Sequence, residues 1–261
     1  MILRRLADSL RRQDWFTVLV EIGIVVLGVF LGIEVSNWNE ERQNRAAADS
    51  YLERLELDLE AQLGMWQNAQ TYFDQTQQHA NAALDQLVGP VEALDERFLI
   101  DLYQASQRRE FTNRRATYDE LVATGRIEYL GDPTLREALS ANYDISTRWM
   151  NVMDVRSDYR AILRQLMDHR VQEAIVADCG DVYLQTRFGI VGMRLPESCD
   201  IELSPDLVSE EIRRLHGHEE IVRHLRFQAS VLRTRLAAIE IAIAGTRNTL
   251  EALRRIQGEG G

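Results

Sequence analysis

The chain contains no lysine: all 30 of its basic side chains are arginine, against 41 acidic ones, for a formal net charge of −11. Arginine-only usage is read as the codon bias of a GC-rich bacterial genome rather than as a functional signal. The acidic balance, with no basic stripe interleaved with aromatics, excludes nucleic acid as a partner, because phosphate backbones are bound by clustered positive charge. Walker A, GxGxxG, GxSxG, HExxH and CxxC patterns are all absent, and with them the usual marks of phosphate cradles, activated serines, zinc proteases and dithiol chemistry. The chain is expected to be non-enzymatic, with no catalytic residue and no cofactor.

What is present begins with one apolar run. Phe16 to Ile33 reads FTVLVEIGIVVLGVFLGI, 18 residues with a single charge, Glu21, bracketed by Trp15 and Trp38. In a helix the two tryptophans stand roughly 34 Å apart, which suits a hydrocarbon core of about 30 Å with an aromatic at each interface. A transmembrane helix is therefore expected over 15–38. Arg4, Arg5, Arg11 and Arg12 precede it against Asp8 and Asp14, so residues 1–14 form a short basic tail on the cytoplasmic side by the positive-inside rule. No second run of spanning length follows, which places residues 39–257 in the periplasm and the protein in a bacterial inner membrane. A cleaved signal peptide is the competing reading, but the run is long for one and the small residues Ala46–Ala48 lie far beyond its end.

At 100° per residue, Glu21, Gly28, Gly32, Val35 and Asn39 fall within roughly 40° of one line along the helix. A GxxxG pair sharing a face with a buried acid and an amide reads as a helix-pairing surface, for a second copy or another membrane protein. The alternative is that glycines are common in spans and Glu21 snorkels to the inner interface.

The junction segment GVFLGIEVSNWNEERQ, with the start ILRRL and the downstream stretches YLERLELDL and ATYDELVATGRIEYLGDPTLREAL, resembles an uncharacterised family of bacterial single-span membrane proteins of unknown function. Its most specific part is Val35-Ser36-Asn37-Trp38-Asn39-Glu40. The resemblance covers most of the chain and implies an N-terminal anchor and a helical extracytoplasmic region; it brings no activity and no site residue.

Beyond the junction, positions 52, 55, 59, 62, 66, 69, 73, 76, 80, 83 and 87 form a three-and-four-spaced seam, apolar except at Gln62 and Thr76. That pattern predicts a coiled-coil-like helix continuous with the span, stopped by Gly89-Pro90. Shorter helices are predicted near 91–108, 117–124 with a capping box at Thr117–Glu120 and Gly125 past its end, and 133–143 with Asp132 as N-cap before Pro133. A long helix is expected over about 145–176, then an irregular stretch over 177–203, a short helix from Ser204-Pro205 to Gly217, and a last long helix over about 218–256. The last helix carries a second seam at 222, 225, 229, 232, 236, 239, 243, 246, 250 and 253, and two matched stripes are best satisfied by packing together. Residues 258–261 are expected to be a flexible tail.

Cys179 and Cys199 bracket the irregular stretch, and in an oxidising compartment they most simply form a disulfide. A free redox pair and a metal site are the weaker alternatives. His216 and His218, with Glu219 and Glu220, are a weak metal candidate; the plainer reading is a polar inter-helix turn with acids at a helix N-terminus. Arg108-Arg109 and Arg114-Arg115 could meet an anionic ligand or a partner's acids, or simply offset acidic neighbours. Trp66, Tyr72, Phe73 and Trp149 are read as core. The fold expected is all-α: an N-terminal transmembrane helix continuing into an elongated helical-bundle ectodomain with one disulfide-bracketed loop. Its role would be structural, scaffolding or accessory, with a ligand-sensing bundle that signals through a partner membrane protein as the rival.

Overall fold

The computed structural model describes residues 15–110, 112–153, 155–186 and 189–259; the basic tail expected over 1–14 and the last two glycines lie outside them. The chain opens on α1, Trp15–Gln86, an unbroken helix of 72 residues and about 108 Å. Its first half is long and apolar enough to cross a membrane and is left uncovered by the other described residues. Its second half carries the predicted seam, and the change is abrupt: Trp38 is 65% exposed and Leu55 fully buried. Every seam position from Leu52 to Ala83 is buried, including Gln62 and Thr76. Helical bonding persists to Leu87, whose N–H reaches the Ala83 carbonyl, before Gly89-Pro90 turns the chain.

The remaining helices wrap this stem: α2, Glu96–Gln104; α3, Ala116–Ala123; α4, Pro133–Met153; α5, Tyr159–Leu166; α6, His169–Cys179; α7, Pro205–His216; and α8, Glu219–Glu259. Short 3-10 turns occupy Val91–Ala93 and Arg126–Leu130. The largest interface is α8 on α1, as the matched seams require; α4 and α5 pack on α8, α2 on α1, and α6 and α7 on α2. α8 is buried on a wider face than its seam, with Ile221, Gln228, Val231, Arg235, Ala238 and Ala242 also inside, because it is covered from two sides.

Several boundaries differ from expectation for local chemical reasons. The helix expected over 145–176 is three: nothing interrupts the turn at Asp144, so α4 runs through to Met153, and the real breaks come later. Ser157 accepts the Tyr159 N–H ahead of α5, and Asp168 accepts the Arg170 N–H ahead of α6. Arg170, through its side chain and its N–H, holds the Asp168 carboxyl down to about 2. The helix expected over 91–108 is a 3-10 turn followed by α2, because Asp95 caps the Arg97 N–H and restarts the chain. Thr117 does not cap α3; its N–H is taken by Asp58 from α1, 3.2 Å away, while Glu120 accepts from Tyr51 and Arg54. The caps at Asp132 and Ser204 form as expected, and Gly125 follows α3 in the left-handed region at φ 69°. At the C-terminus α8 continues through Gly258 to Glu259.

The stretch over 177–203 is not wholly irregular. Its first residues finish α6, and β1, Val182–Thr186, pairs antiparallel with β2, Gly189–Arg194. Cys179 and Cys199 close a disulfide across the base of this hairpin, Cα atoms 5.4 Å apart. Polar side chains of α1 hold β2: Asn68 accepts the Met193 N–H, and Gln75 exchanges two hydrogen bonds with the Leu195 backbone. A Cβ at Gly192 would stand 2.6 Å from the Asn68 side chain, so glycine is what lets the strand cross the stem here.

The core lies in two apolar clusters along the bundle. One surrounds Tyr51, Leu55, Leu59, Leu139, Tyr143 and Leu250; the other surrounds Trp66, Phe73, Phe98, Leu163, Leu225 and Ile239. Between them, at the level of Gln62, lies a polar layer. Gln62 Nε2 donates to Asn113 Oδ1 at 2.6 Å and Ser146 Oγ at 3.2 Å, and its Oε1 accepts from Asn142 at 2.8 Å. Thr246 Oγ1 lies 3.1 Å from Asn142 Oδ1 and 3.3 Å from Gln62 Oε1. One layer thus ties α1, α4 and α8 in register by polar groups whose loss of water is compensated only in this arrangement.

Candidate functional site

Five groups of residues were singled out by sequence, and the structure treats them differently. Glu21, Gly28, Gly32, Val35 and Asn39 all lie on the uncovered half of α1, and a Cβ at Gly28 or Gly32 would meet nothing within 4 Å. The face is bare. Cys179 and Cys199 are joined. His216 and His218 flank the α7–α8 turn; the His216 ring packs edge-on against Phe98, its Nε2 buried without a partner. Among the described residues no three His, Cys, Asp or Glu side chains gather as a metal would need. Trp66, Tyr72 and Phe73 are fully buried and Trp149 partly, all in one cluster.

The arginine-rich loop divides. Arg115 bonds Asp119 and Thr147 and lies over the stacked rings of Tyr118 and Tyr143. Arg108 and Arg109 turn instead to a cavity of about 770 Å³ enclosed by the loop after α2, the end of α4, α5 and α8. Among the described residues, arginines 108, 109, 156, 160, 164 and 235 line it together with the carboxylates Glu110 and Asp158. Two facts put them there. Arg160 and Arg164 share one face of α5, because Tyr159 and Leu163 occupy the core face, and Arg235 sits on the side of α8 that the second seam did not mark.

Several of these cations donate to neutral oxygens, and Arg108 faces Glu110 at 3.6 Å. Arg160 Nη1 donates to the Ser106 carbonyl and to Gln107 Oε1; Arg164 Nη2 donates to Ser106 Oγ; Arg235 Nη2 donates to the Val155 carbonyl. Arg109 donates to Asn68. The guanidinium of Arg164 stacks on Tyr103, 3.1 Å from the ring centre, and that of Arg235 lies over Phe73. Desolvation lowers Arg109, and desolvation together with the like charge of Arg160 pulls Arg164 down to about 10. Asp181, a half-buried carboxylate within the fields of Arg160 and Arg109, accepts from the Tyr72 hydroxyl at 3.1 Å and is itself pushed up by desolvation. Sequence reasoning found only Arg108 and Arg109 of this set. The one available signal for the others was two arginines four apart, at 160 and 164, on a short helix.

A buried polar contact joins α2 to the stem: His79 Nδ1 lies 2.7 Å from Asp101 Oδ1, and Gln86 donates to Asp101 Oδ2 at 2.9 Å.

Fold and sites together define a class: a helical bundle carried on a single stem helix whose free end is apolar. Within that class the chain belongs to the family of unknown function DUF6090, which matches residues 21–163, more than half its length. No curated protein and no solved structure matches it. The family match runs from Glu21 on the bare face into α5, and takes in Arg108, Arg109, Arg156 and Arg160 of the cavity.

Proposed function

We propose that the protein is a single-span bacterial inner-membrane protein whose periplasmic helical bundle serves a non-enzymatic structural or accessory role, held in place through its span. The observation that carries this is the continuity of α1, which passes from an uncovered apolar half into the buried seam without a break. A bundle joined to the membrane by rigid helix rather than a flexible linker has a fixed height and azimuth, which suits a subunit that must present a surface to a membrane neighbour. The arginines before the span support an inward N-terminus, and the Cys179–Cys199 bridge fits a compartment that favours oxidation. Pairing would use the line of Glu21, Gly28, Gly32 and Asn39, where backbones can approach closely.

Topology is tested by a reporter fused after Gly261 that works only once exported; activity of a cytoplasm-only reporter would overturn the assignment. Pairing is tested by Gly28→Leu with Gly32→Leu in a membrane association assay, with weakened association expected and unchanged association refuting it. The rival role, a ligand-sensing bundle that signals through a partner membrane protein, draws its support from the arginine-lined cavity.

A further inference from the structure

A β-strand presents two faces and two edges, and in a two-stranded ribbon the outer edge stays open unless something covers it. Among the described residues β1 pairs only with β2, and β2 is the strand that packs on α1. Val182, Tyr183 and Leu184 alternate between the faces of the ribbon, yet all stand open, 39, 51 and 37% exposed. Neither a charge nor a proline guards β1, although these are the usual protection of a free strand. The Cys179–Cys199 bridge and the bonds from Asn68 and Gln75 fix where this apolar strand sits. They place it on one particular side of the stem: at 100° per residue, Asn68 and Gln75 fall in the same arc of roughly 40° as Glu21, Gly28, Gly32 and Asn39.

We infer that β1 is a contact surface for a second copy of this chain, with the two hairpins stacked face to face between the stems. The inference rests on the proposed pairing through the glycine face and names its partner. Because the strand and the glycine line share one side of α1, two parallel stems that meet at their glycines turn hairpin toward hairpin. β2 climbs the stem, meeting Asn68 at Met193 and Gln75 at Leu195, so a two-fold axis along the stems sets face on face rather than edge on edge. Charge permits it: from Val176 to Cys199 the sequence carries Asp178, Asp181 and Glu197 against Arg187 and Arg194, close to balance in a chain of net charge −11. The dimensions close as well. A hairpin-on-helix layer in each copy and one hairpin-on-hairpin layer between them, roughly 10 Å apiece, hold the stems about 30 Å apart at Asn68–Gln75. Stems in contact at Gly28–Gly32, about 60 Å below, then lean apart by roughly 20°, or about 10° each, within the ordinary tilt of membrane helices.

The test uses the full chain in intact membranes. Both native cysteines are bridged, so Tyr183→Cys supplies the one free thiol for a short bismaleimide crosslinker. A covalent dimer of twice 30.0 kDa is expected, whereas Asn151→Cys, exposed on α4, a helix that packs on α8 instead of the stem, should give none. Tyr183→Asp alters an exposed side chain; it should leave Tm unchanged and weaken association about tenfold, the worth of one aromatic anchor. The inference is overturned by the absence of a Tyr183→Cys dimer, by an adduct to a foreign protein in its place, by equal crosslinking at Asn151→Cys, or by parental association of Tyr183→Asp. The two readings fail separately. Association that Gly28→Leu with Gly32→Leu weakens, without a Tyr183→Cys dimer, refutes the hairpin contact alone; a Tyr183→Cys dimer that those glycine changes leave undiminished refutes the glycine face alone.

Discussion

Replacing Gln62 by leucine should destabilise the bundle although it swaps a buried amide for a hydrocarbon of similar size. Gln62 is fully buried and supplies Asn142 and Ser146 with hydrogen bonds at 2.8 and 3.2 Å. Gln62→Leu strands both, at about 1–3 kcal/mol for each buried group left unpaired. Asn113 is half-exposed and can turn to water. Leucine regains part of this by apolar burial, leaving a net loss of about 3 kcal/mol, or roughly 6–12 °C in Tm for a domain of this size. Replacing the whole layer, Gln62→Leu with Asn142→Leu, Ser146→Ala and Thr246→Val, should recover most of that loss, since removing all partners together leaves nothing stranded. The assay is thermal unfolding by circular dichroism of the full chain in detergent. A single variant within about 2 °C of the parent, or a quadruple variant no better than the single, would refute the accounting.

Cys179→Ser with Cys199→Ser opens a loop of 20 residues, which should cost about 3 kcal/mol and lower Tm by roughly 6–12 °C, an effect dithiothreitol should reproduce in the parent. Gly192→Ala forces its methyl into the Asn68 side chain and should destabilise by about 1–3 kcal/mol, read from the same melts. Asp181 sets the third expectation. Burial raises its carboxyl above the ordinary range despite the Tyr72 hydrogen bond and the fields of Arg160 and Arg109. A folded-state value above the unfolded one means stability is fully present below the unfolded value and falls as pH rises through the folded one. Asp181→Asn, which keeps an acceptor for Tyr72, should therefore melt higher than the parent at neutral pH, with the gap closing below about pH 3.9. A gap independent of pH would show that the carboxylate's charge is not the cause.

The long elements were legible because their signal is repetitive. Eleven seam positions on α1 and ten on α8 recur at helical spacing, and a periodic error would have had to occur many times over. Single-residue punctuation was legible where the chemistry is local, as at Asp132-Pro133, Ser204-Pro205 and Gly125. It failed where the partner is remote: the N–H of Thr117 is satisfied by Asp58, 59 residues away, and no local pattern reveals that. The break between α4 and α5 carries neither glycine nor proline, so a reading based on those residues ran straight through it. The β-hairpin was too short to outweigh its glycines, although its β-prone runs were visible. The arginine cavity was illegible as a site because four segments assemble it, from Ser106 to Arg235; only its loop component was dense enough in sequence to be noticed.

The unbroken stem also sets an angular phase between membrane and bundle. Counting 100° per residue from Asn39, the seam residues Leu52, Leu55 and Leu59 point roughly half a turn away from the line of Gly28 and Gly32. Near the membrane the other helices therefore rise on the side of α1 opposite its glycine face, whereas farther out the line of that face returns at Asn68 and Gln75, where the β-hairpin covers it. Two stems meeting at their glycines would carry their membrane-proximal helices outward like leaves on either side of a spine, with the two β-hairpins turned inward between the stems. Inserting two residues between Asn39 and Tyr51 would swing each bundle by about 200° about the stem, onto the side of the glycine face, whereas inserting seven would return it almost to its starting azimuth.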